Sequence, residues 1–238
     1  PINTSYSTYQ YYYVTLDPRL GNTKVLGGAQ DNGSTRNVLG AGTSFEMVAG
    51  GDGVLVGLTD DISGSTYEYV GSQLGNIYRR SSASGLGFYD DITPEYANTV
   101  TSAGLFVTVF RLDPDNTQIL YYANDDTLYR TTTASAVTTT SWTKMTGLAA
   151  AIGTTHDITA MATTRGTYSP ATASLFIGAS DVSGSITSAK LFRLDDPASA
   201  APGTGPVDIT SGSFPASSFI SSIAVNPRND DTVIVTFS

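Results

Sequence analysis

Short apolar runs alternate with polar, turn-forming residues along the whole chain. One marker is an apolar run that ends in Asp-Pro or Asn-Pro, and it recurs at residues 14–18, 110–114 and 223–227. Related runs that lack the Pro lie at 56–60 and 158–162. Because Pro cannot donate to a sheet ladder, it marks the place where a strand stops pairing. This marker predicts five strands in equivalent positions.

Two further markers follow in a fixed order. The tripeptide Ile77-Tyr78-Arg79 recurs as Leu128-Tyr129-Arg130 and as Leu191-Phe192-Arg193. Each copy is followed by a short Thr-ended segment, at 91–93, 144–146 and 208–210. Apolar runs that follow a polar turn, at 23–26, 117–122 and 232–237, add a second strand to the unit. The markers together define a repeat of about 45 to 60 residues with four short strands.

Four antiparallel strands at this period are typical of a β-propeller blade, which hides sheet edges by radial repetition. We therefore predict an all-β propeller segment over residues 1–238, with about four to five blades and no internal domain boundary. We expect it to belong to a larger ring of the seven-bladed type, completed by another segment or another chain. The alternative is a β-sandwich, which also uses short strands but does not require markers in register.

The amino-acid composition argues against two classes of binding partner. The 238 residues contain 21 acidic and 12 Lys and Arg residues, for a formal net charge of -9. Nucleic acids and anionic membranes are held by clustered Lys and Arg, so neither is an expected partner. No apolar run is long enough to insert into a membrane. The absence of Cys excludes disulfides, thiolate nucleophiles and Cys-ligated metals.

Four segments carry a resemblance to a known family: residues 9–18, 25–34, 50–53 and 71–79. Together they resemble the bacterial secreted β-propellers known as BNR-repeat, sortilin-like or glycosyl-hydrolase-like proteins. The resemblance implies a secreted or cell-surface protein. It also implies Asp-box turns between third and fourth strands. Here the frame Arg130 to Ser135, followed by Thr140-Ser141-Trp142-Thr143, lacks the acidic residue.

Asp31 and Asp52 are the strongest candidates for a site, since each follows an apolar run and lies in a segment flanked by Gly. Three interpretations stay open. The carboxylates cap neighbouring turns, or they bind a ligand, or they form the acid and base of a glycosidase, as resemblance to xyloglucanase-type propellers implies. The candidate ligand-binding residues are Gln30, Asp31, Asn32, Asp52 and Gln73.

No cofactor is expected, and calcium is the alternative, because oxygen-only ligands suit a hard cation. Its candidate ligands are Asp31, Asn32, Asp52, Asp60 and Asp61. The single His156 rules out a multi-histidine metal site and is expected in a loop before a strand. Arg79, Arg130 and Arg193 match in number and residue type the arginine triad with which sialidases bind a carboxylate. Their recurrence once per repeat favours a structural role instead.

Aromatic residues at 6–13 offer faces for sugar rings or for packing another blade. We expect a module that binds a glycan or a protein partner through loops on one face, without turnover. One alternative is a glycoside hydrolase that uses Asp31 and Asp52. Another is a structural subunit of an extracellular assembly, which would self-associate or pair with other blades.

Overall fold

The computed structural model describes residues 9–37, 44–60, 62–82, 89–95, 104–182 and 189–238. Contacts divide the chain into two compact units. The first unit is Pro1–Asp91 with Phe106–Thr108, and the second unit is Ile92–Leu105 with Val109–Ser238. The absence of an internal domain boundary stays a prediction.

The first unit contains two four-stranded antiparallel sheets, and in each the strands pair in chain order. The first sheet consists of β1 Tyr11–Leu16, β2 Val25–Ala29, β3 Gly33–Asn37 and β4 Phe45–Ala49. The second sheet consists of β5 Gly53–Leu58, β6 Tyr67–Ser72, β7 Ile77–Ser81 and β8 Asp90–Asp91.

The second unit contains three sheets with the same meander order. The third sheet consists of β9 Val109–Leu112, β10 Leu120–Asn124, β11 Thr127–Thr131 and β12 Thr143–Met145. The fourth sheet consists of β13 Asp157–Thr163, β14 Ser174–Ser180, β15 Lys190–Asp195 and β16 Val207–Asp208. The fifth sheet has two strands in the described residues, β17 Ile220–Val225 and β18 Val233–Phe237.

The sequence markers fall where they were expected. The apolar runs that end in Asp-Pro or Asn-Pro are first strands, and the aromatic-Arg tripeptides lie in third strands. The short Thr-ended segments coincide with the ends of fourth strands. The chain therefore has an all-β propeller fold built from four-stranded antiparallel blades. The β-sandwich alternative is wrong, because the strands form separate meanders in chain order and do not form two sheets with strands that alternate between them. The seven-bladed ring stays a prediction.

Neighbouring sheets pack in the same way in both units. The first strand of one sheet lies on the face of the sheet before it, as β5 does on β1, β2 and β3, and as β17 does on β13 and β14. Leu26, Val56, Leu58 and Val70 form the buried cluster between the two sheets of the first unit. This packing buries the apolar faces of sheets that are neighbours within one unit.

A short helix, α1 Thr146–Ile152, follows β12 and was not predicted from the sequence. Leu148 and Ile152 are four residues apart on it, so both point to one side, and both are fully buried in the second unit's core. Gly153 ends the helix with a positive φ of 82°. Within the described residues, no helix has the length and apolar character needed to cross a bilayer.

Candidate functional site

The turn between β2 and β3 presents the first group of candidate residues. Ala29 pairs with Gly33, which leaves a three-residue loop of Gln30, Asp31 and Asn32. Asp31 has a φ of 58°, a left-handed conformation that Asp tolerates better than most residues. Asp31 and Asn32 are exposed, and Gln30 is half-buried. The loop therefore holds two polar side chains out toward solvent.

A chain of hydrogen bonds joins this turn to two others in the first unit. The Asp31 amide donates to Oδ1 of Asp52 at 2.7 Å, and the Asp52 amide donates to Oε1 of Gln73 at 3.0 Å. The Ser72 hydroxyl also donates to Gln73 Oε1. The structure thus brings together Asp31, Asp52 and Gln73, which lie about 21 residues apart in the sequence.

These bonds give Asp52 a defined structural part, because its carboxylate caps the backbone of the neighbouring turn. Asn32 adds to the same order, since its Nδ2 donates to the Gln30 carbonyl at 2.9 Å. A cap that accepts a backbone amide fixes the loop geometry. The turn-capping interpretation of Asp52 therefore has direct geometric support, while Asp31 and Asn32 keep exposed side chains that a ligand can reach.

Two exposed apolar residues lie beside this polar chain, and sequence reasoning missed both. Leu74, in the β6–β7 turn, is 45% exposed, and its amide donates to the carbonyl of Phe106, which is 44% exposed. Thr108 fixes the same segment, because its Oγ1 accepts the Gly75 amide at 2.9 Å and donates to the Ser72 carbonyl. No sequence marker includes Phe106, so only the fold brings its backbone to Leu74, the residue after Gln73.

We call the surface formed by Asp31, Asn32, Asp52, Gln73, Leu74 and Phe106 the loop surface. It combines carboxylate and amide groups with one exposed aromatic ring. Such a surface can donate and accept hydrogen bonds and can also offer an apolar face to a ring.

The predicted calcium ligands do not all converge. Asp60 follows β5 whereas Asp52 precedes it, so the six-residue strand separates them by about 20 Å. Asp60 therefore cannot share an ion with the loop surface, and Asp61 lies outside the described residues. Among all the residues that the structure describes, no group of three or more His, Cys, Asp or Glu side chains is arranged to hold a metal ion. A calcium ion on Asp31, Asn32 and Asp52 stays a prediction.

A buried ionic cluster, which the sequence did not reveal, lies at the other end of the first unit's sheets. Glu68 is 1% exposed and contacts Lys24, Arg36 at 2.8 Å and Arg80 at 3.3 Å. The Tyr89 hydroxyl donates to Glu68 Oε2 at 2.6 Å. Burial raises the pKa of Glu68, but the bonds from Lys24 and Tyr89 outweigh it and leave that pKa below its usual value. The cluster is a structural ion network.

The second unit carries a different acidic group. Asp125 and Asp126 lie in the β10–β11 turn, Asp157 begins β13, and Asp181 follows β14. Burial, followed by the charges of Asp125, Asp126 and Asp181, raises the pKa of Asp157 to about 6. A carboxyl with a raised pKa is still partly protonated where an ordinary Asp is ionised, and a protonated carboxyl can donate a proton, as a general acid must. Sequence reasoning did not single out Asp157.

The repeated arginines have separate partners. Arg79 lies 3.6 Å from Asp90, and Arg193 forms a two-point contact with Asp195 at 2.8 and 3.2 Å. Arg130 donates to the carbonyls of residues 197 and 200, both at 2.8 Å. These contacts fit the structural role expected for residues that recur once per blade.

His156 and the aromatic strand β1 complete the predicted residues. His156 directly precedes β13 as expected, but it is buried, and its Nδ1 lies 3.0 Å from the Thr155 hydroxyl. On β1, the Tyr11 hydroxyl shares a 2.8 Å hydrogen bond with Thr35 Oγ1, and the rings of Tyr9 and Tyr11 lie 6.0 Å apart. Both tyrosines remain more than a third exposed.

Comparison with known proteins gives one kind of match. No protein-family model matches the chain, and no curated protein matches it. Among solved structures, the chain is similar to an ancestral GH74 enzyme, with a TM-score of 0.65 and 13% sequence identity. The match covers 93% of this chain and 28% of that enzyme, so the chain spans under a third of the enzyme's length. At this identity the likeness shows that the chain shares the all-β propeller fold of that enzyme.

Proposed function

We propose that this chain is a β-propeller binding module that recognises a glycan through the loop surface of its first unit. The observation that carries the proposal is the series of hydrogen bonds that links the turn of exposed Asp31 and Asn32, through neighbouring turns, to the segment that carries the exposed Phe106. Turns that are fixed before binding lose less conformational freedom when the ligand arrives.

The chemistry of the surface favours a sugar. Sugar hydroxyls need both donors and acceptors, and the amide of Asn32 and the carboxylate of Asp31 supply them. Sugar rings also have an apolar face, which an exposed aromatic ring can cover. A protein partner would use the same mixture of groups, and it is the alternative ligand if no glycan binds.

The proposed setting is outside the cell. The resemblance to BNR-repeat and sortilin-like propellers suggests a secreted or cell-surface bacterial protein. The lack of Cys and the net charge of -9 are compatible with that setting. Fractionation of cells that express the full protein would test this part of the proposal independently of binding.

The direct test is calorimetric titration of the chain with cellohexaose and with xylose-substituted xyloglucan oligosaccharides. We expect saturable binding to at least one of them. Phe106→Ala should weaken that binding about fivefold to tenfold, because it removes the stacking face. Asp31→Ala and Asn32→Ala should each weaken it about threefold to tenfold, because each removes a hydrogen-bonding group.

Phe45→Ala is the matched control. Phe45 is 49% exposed in the same unit, but it begins β4, at the opposite end of that strand from Asp52. Its substitution should leave affinity unchanged. Equal losses for Phe45→Ala and Phe106→Ala, or no binding to any glycan by the folded chain, would contradict recognition of glycans at the loop surface.

A glycoside hydrolase is the second candidate function, and the raised pKa of Asp157, to about 6, is the observation that favours it. Such enzymes need one protonated and one ionised carboxyl. Release of reducing ends from the same oligosaccharides, abolished by Asp157→Asn, would establish turnover in the second unit. Loss through Asp31→Ala or Asp52→Ala, with Asp157→Asn active, would assign turnover to the first unit instead. Binding without product release would favour the binding module.

A further inference from the structure

Three buried polar side-chain atoms of the second unit have no hydrogen-bond partner within the described residues. They are Arg111 Nε on β9, the Tyr121 hydroxyl on β10 and the Thr163 hydroxyl on β13. Tyr121 is 0% exposed and Thr163 is 3% exposed. Folded proteins leave few such groups unpaired, and a bound water or ion is a common reason when they do.

The strand register places two of these groups side by side on the third sheet. Arg111 lies directly opposite Tyr121 in the β9–β10 pairing, and Arg130 lies opposite Tyr121 in the β10–β11 pairing. Residues that are directly opposite each other point to the same face and have neighbouring side chains. Arg111, Tyr121 and Arg130 therefore form one row across the third sheet.

The fourth sheet contributes the third group from the opposite side. Tyr121 and Leu175 belong to one buried cluster, which contains residues of both sheets. The row on the third sheet therefore lies on the face that packs against the fourth sheet. Thr163 is opposite Leu175 in the β13–β14 pairing, so it shares the packed face of the fourth sheet.

Contacts between the two sheets bring the groups to the same place along the strands. Arg130 donates to the carbonyls of residues 197 and 200, which follow β15 directly. The same row is extended on the inner side by Arg111, where β13 packs on β9 and β10. Arg111 and Tyr121 thus face Thr163 across the contact between the sheets.

All three groups can donate a hydrogen bond, and what they share is the lack of an acceptor. Arg Nε can only donate, whereas a Thr hydroxyl can donate or accept. Burial raises the pKa of the Tyr121 hydroxyl, which therefore keeps its proton and can donate it. Solvent does not reach any of the three atoms, so the acceptor has to be small.

The charge of Arg111 favours an anion over a water. Within the described part of the chain, its side chain forms no hydrogen bond and no ion pair. The acidic groups that face Tyr121 have other donors: Asp113 Oδ1 accepts two backbone amides, and Asp196 accepts from the Tyr168 hydroxyl at 2.6 Å. A water would accept from Arg111 without neutralising it, whereas a buried charge is normally paired.

We propose that the second unit binds one chloride ion between its third and fourth sheets, with Arg111 Nε and the hydroxyls of Tyr121 and Thr163 as donors. The ion supplies both the acceptor and the counter-charge, and it joins two neighbouring blades. This site does not depend on the glycan proposal, because the loop surface belongs to the first unit.

Thermal unfolding of the full chain tests for the ion. The chain is compared in sodium chloride and in sodium gluconate at equal ionic strength, since gluconate is too large for an enclosed site. Chloride should raise the midpoint temperature by about 3 °C or more, and the rise should saturate, because an ion that binds only the folded state stabilises it. Sodium bromide should act as sodium chloride does.

Variants assign the effect to the three donors. Arg111→Gln should abolish the response to chloride. Tyr121→Phe and Thr163→Val should each raise the chloride concentration needed for half of the response about fivefold to tenfold, because each removes one donor and keeps the size of the side chain. In gluconate, Tyr121→Phe should be at least as stable as the unaltered chain, since its hydroxyl then has no partner to lose.

Tyr122→Phe is the matched control. Tyr122 follows Tyr121 on β10, so its side chain points to the opposite face of the sheet, where its hydroxyl accepts from Asn124 at 3.3 Å. This variant should lose some stability in both salts and keep the full response to chloride.

A crystal grown in sodium bromide locates the ion directly, because bromide gives an anomalous signal. We expect a peak in contact with Arg111 Nε and the Tyr121 hydroxyl. Three results would overturn the proposal: a water at this place with no bromide peak, equal midpoint temperatures in chloride and gluconate, or a full chloride response in Tyr121→Phe. The first two use the unaltered chain, so they decide the matter even if Arg111→Gln does not fold.

Discussion

The Glu68 carboxylate is buried among cationic groups that are distant from it in the sequence. Lys24 precedes β2, Arg36 lies on β3, and Arg80 lies on β7, so three separate segments supply the compensating charge. Arg36 also contacts Glu46, and Arg80 lies 5.6 Å from the centre of the Tyr89 ring. A buried carboxylate in such a network stabilises the fold only while its partners remain in place.

We predict that Glu68→Gln lowers the free energy of unfolding by about 3 to 5 kcal/mol, because it leaves buried cations without their counter-charge. Asp90→Asn in the same unit is the control. Asp90 is exposed and lies 3.6 Å from Arg79, so its loss should cost less than about 1 kcal/mol. Urea unfolding of the three proteins measures both values, and a similar small loss for each variant would show that the Glu68 network contributes little.

Only some residues of the loop surface could be predicted from the sequence. Asp31 and Asp52 were recognisable as candidates because each lies in a segment flanked by Gly at the end of an apolar run. Gln73 was named in advance, and its side chain does accept from the Asp52 amide. Phe106 was not recognisable, since only the backbone bond from Leu74 brings it to this part of the first unit.

Strand elements were predictable where their ends carry turn residues. Pro and Asx residues mark the ends of first strands, and the aromatic-Arg tripeptide marks third strands. Helix α1 was missed because seven residues give too short a pattern to stand out. Leu148 and Ile152 are buried by tertiary packing, which is the main source of helix stability in so short an element.

Close approach of neighbouring sheets is a property of elements that the sequence did not specify. At Gly28 on β2, an added Cβ would lie 2.0 Å from the Val54 carbonyl oxygen on β5. That oxygen belongs to the backbone, so it cannot move aside as a flexible side chain would. Gly28 therefore allows β5 to lie directly on the first sheet.

We predict that Gly28→Ala destabilises the protein by about 2 kcal/mol or more, through a clash that forces the two sheets apart. Gly50→Ala is the control in the same unit, because nothing lies within 4 Å of the position its Cβ would take. Thermal unfolding of both variants tests the contact. A Gly28→Ala protein as stable as the Gly50→Ala protein would contradict this account of sheet packing.

Over the whole molecule, acidic residues outnumber basic ones by nine, and part of that excess gathers around Asp157. Burial and three neighbouring carboxylates raise its pKa to about 6, above the usual value of about 3.9. Between these two values the folded chain binds more protons than the unfolded chain. Its contribution to stability is therefore complete below about pH 4 and is lost as the pH rises through about 6.

We predict that Asp157→Asn raises the midpoint temperature of unfolding at about pH 8 more than at about pH 4, because Asn keeps the site neutral. Asp115→Asn should show the opposite dependence of stability on pH. Hydrogen bonding to Arg165 lowers the pKa of Asp115, so its loss should destabilise the protein at about pH 8 and have little effect at low pH. The same shift for Asp157→Asn at both pH values would contradict the linkage.

The sequence by itself determined the repeat, the strand order within each blade and the absence of disulfides. These follow from local chemistry, because turn residues and alternating apolar positions act within a few residues of one another. Only the tertiary structure decided which distant groups meet. The pairing of Asp52 with the Asp31 turn, the cations around Glu68 and the three buried groups between the third and fourth sheets each join segments from different strands. Contacts of that kind depend on how sheets pack, which no local pattern encodes.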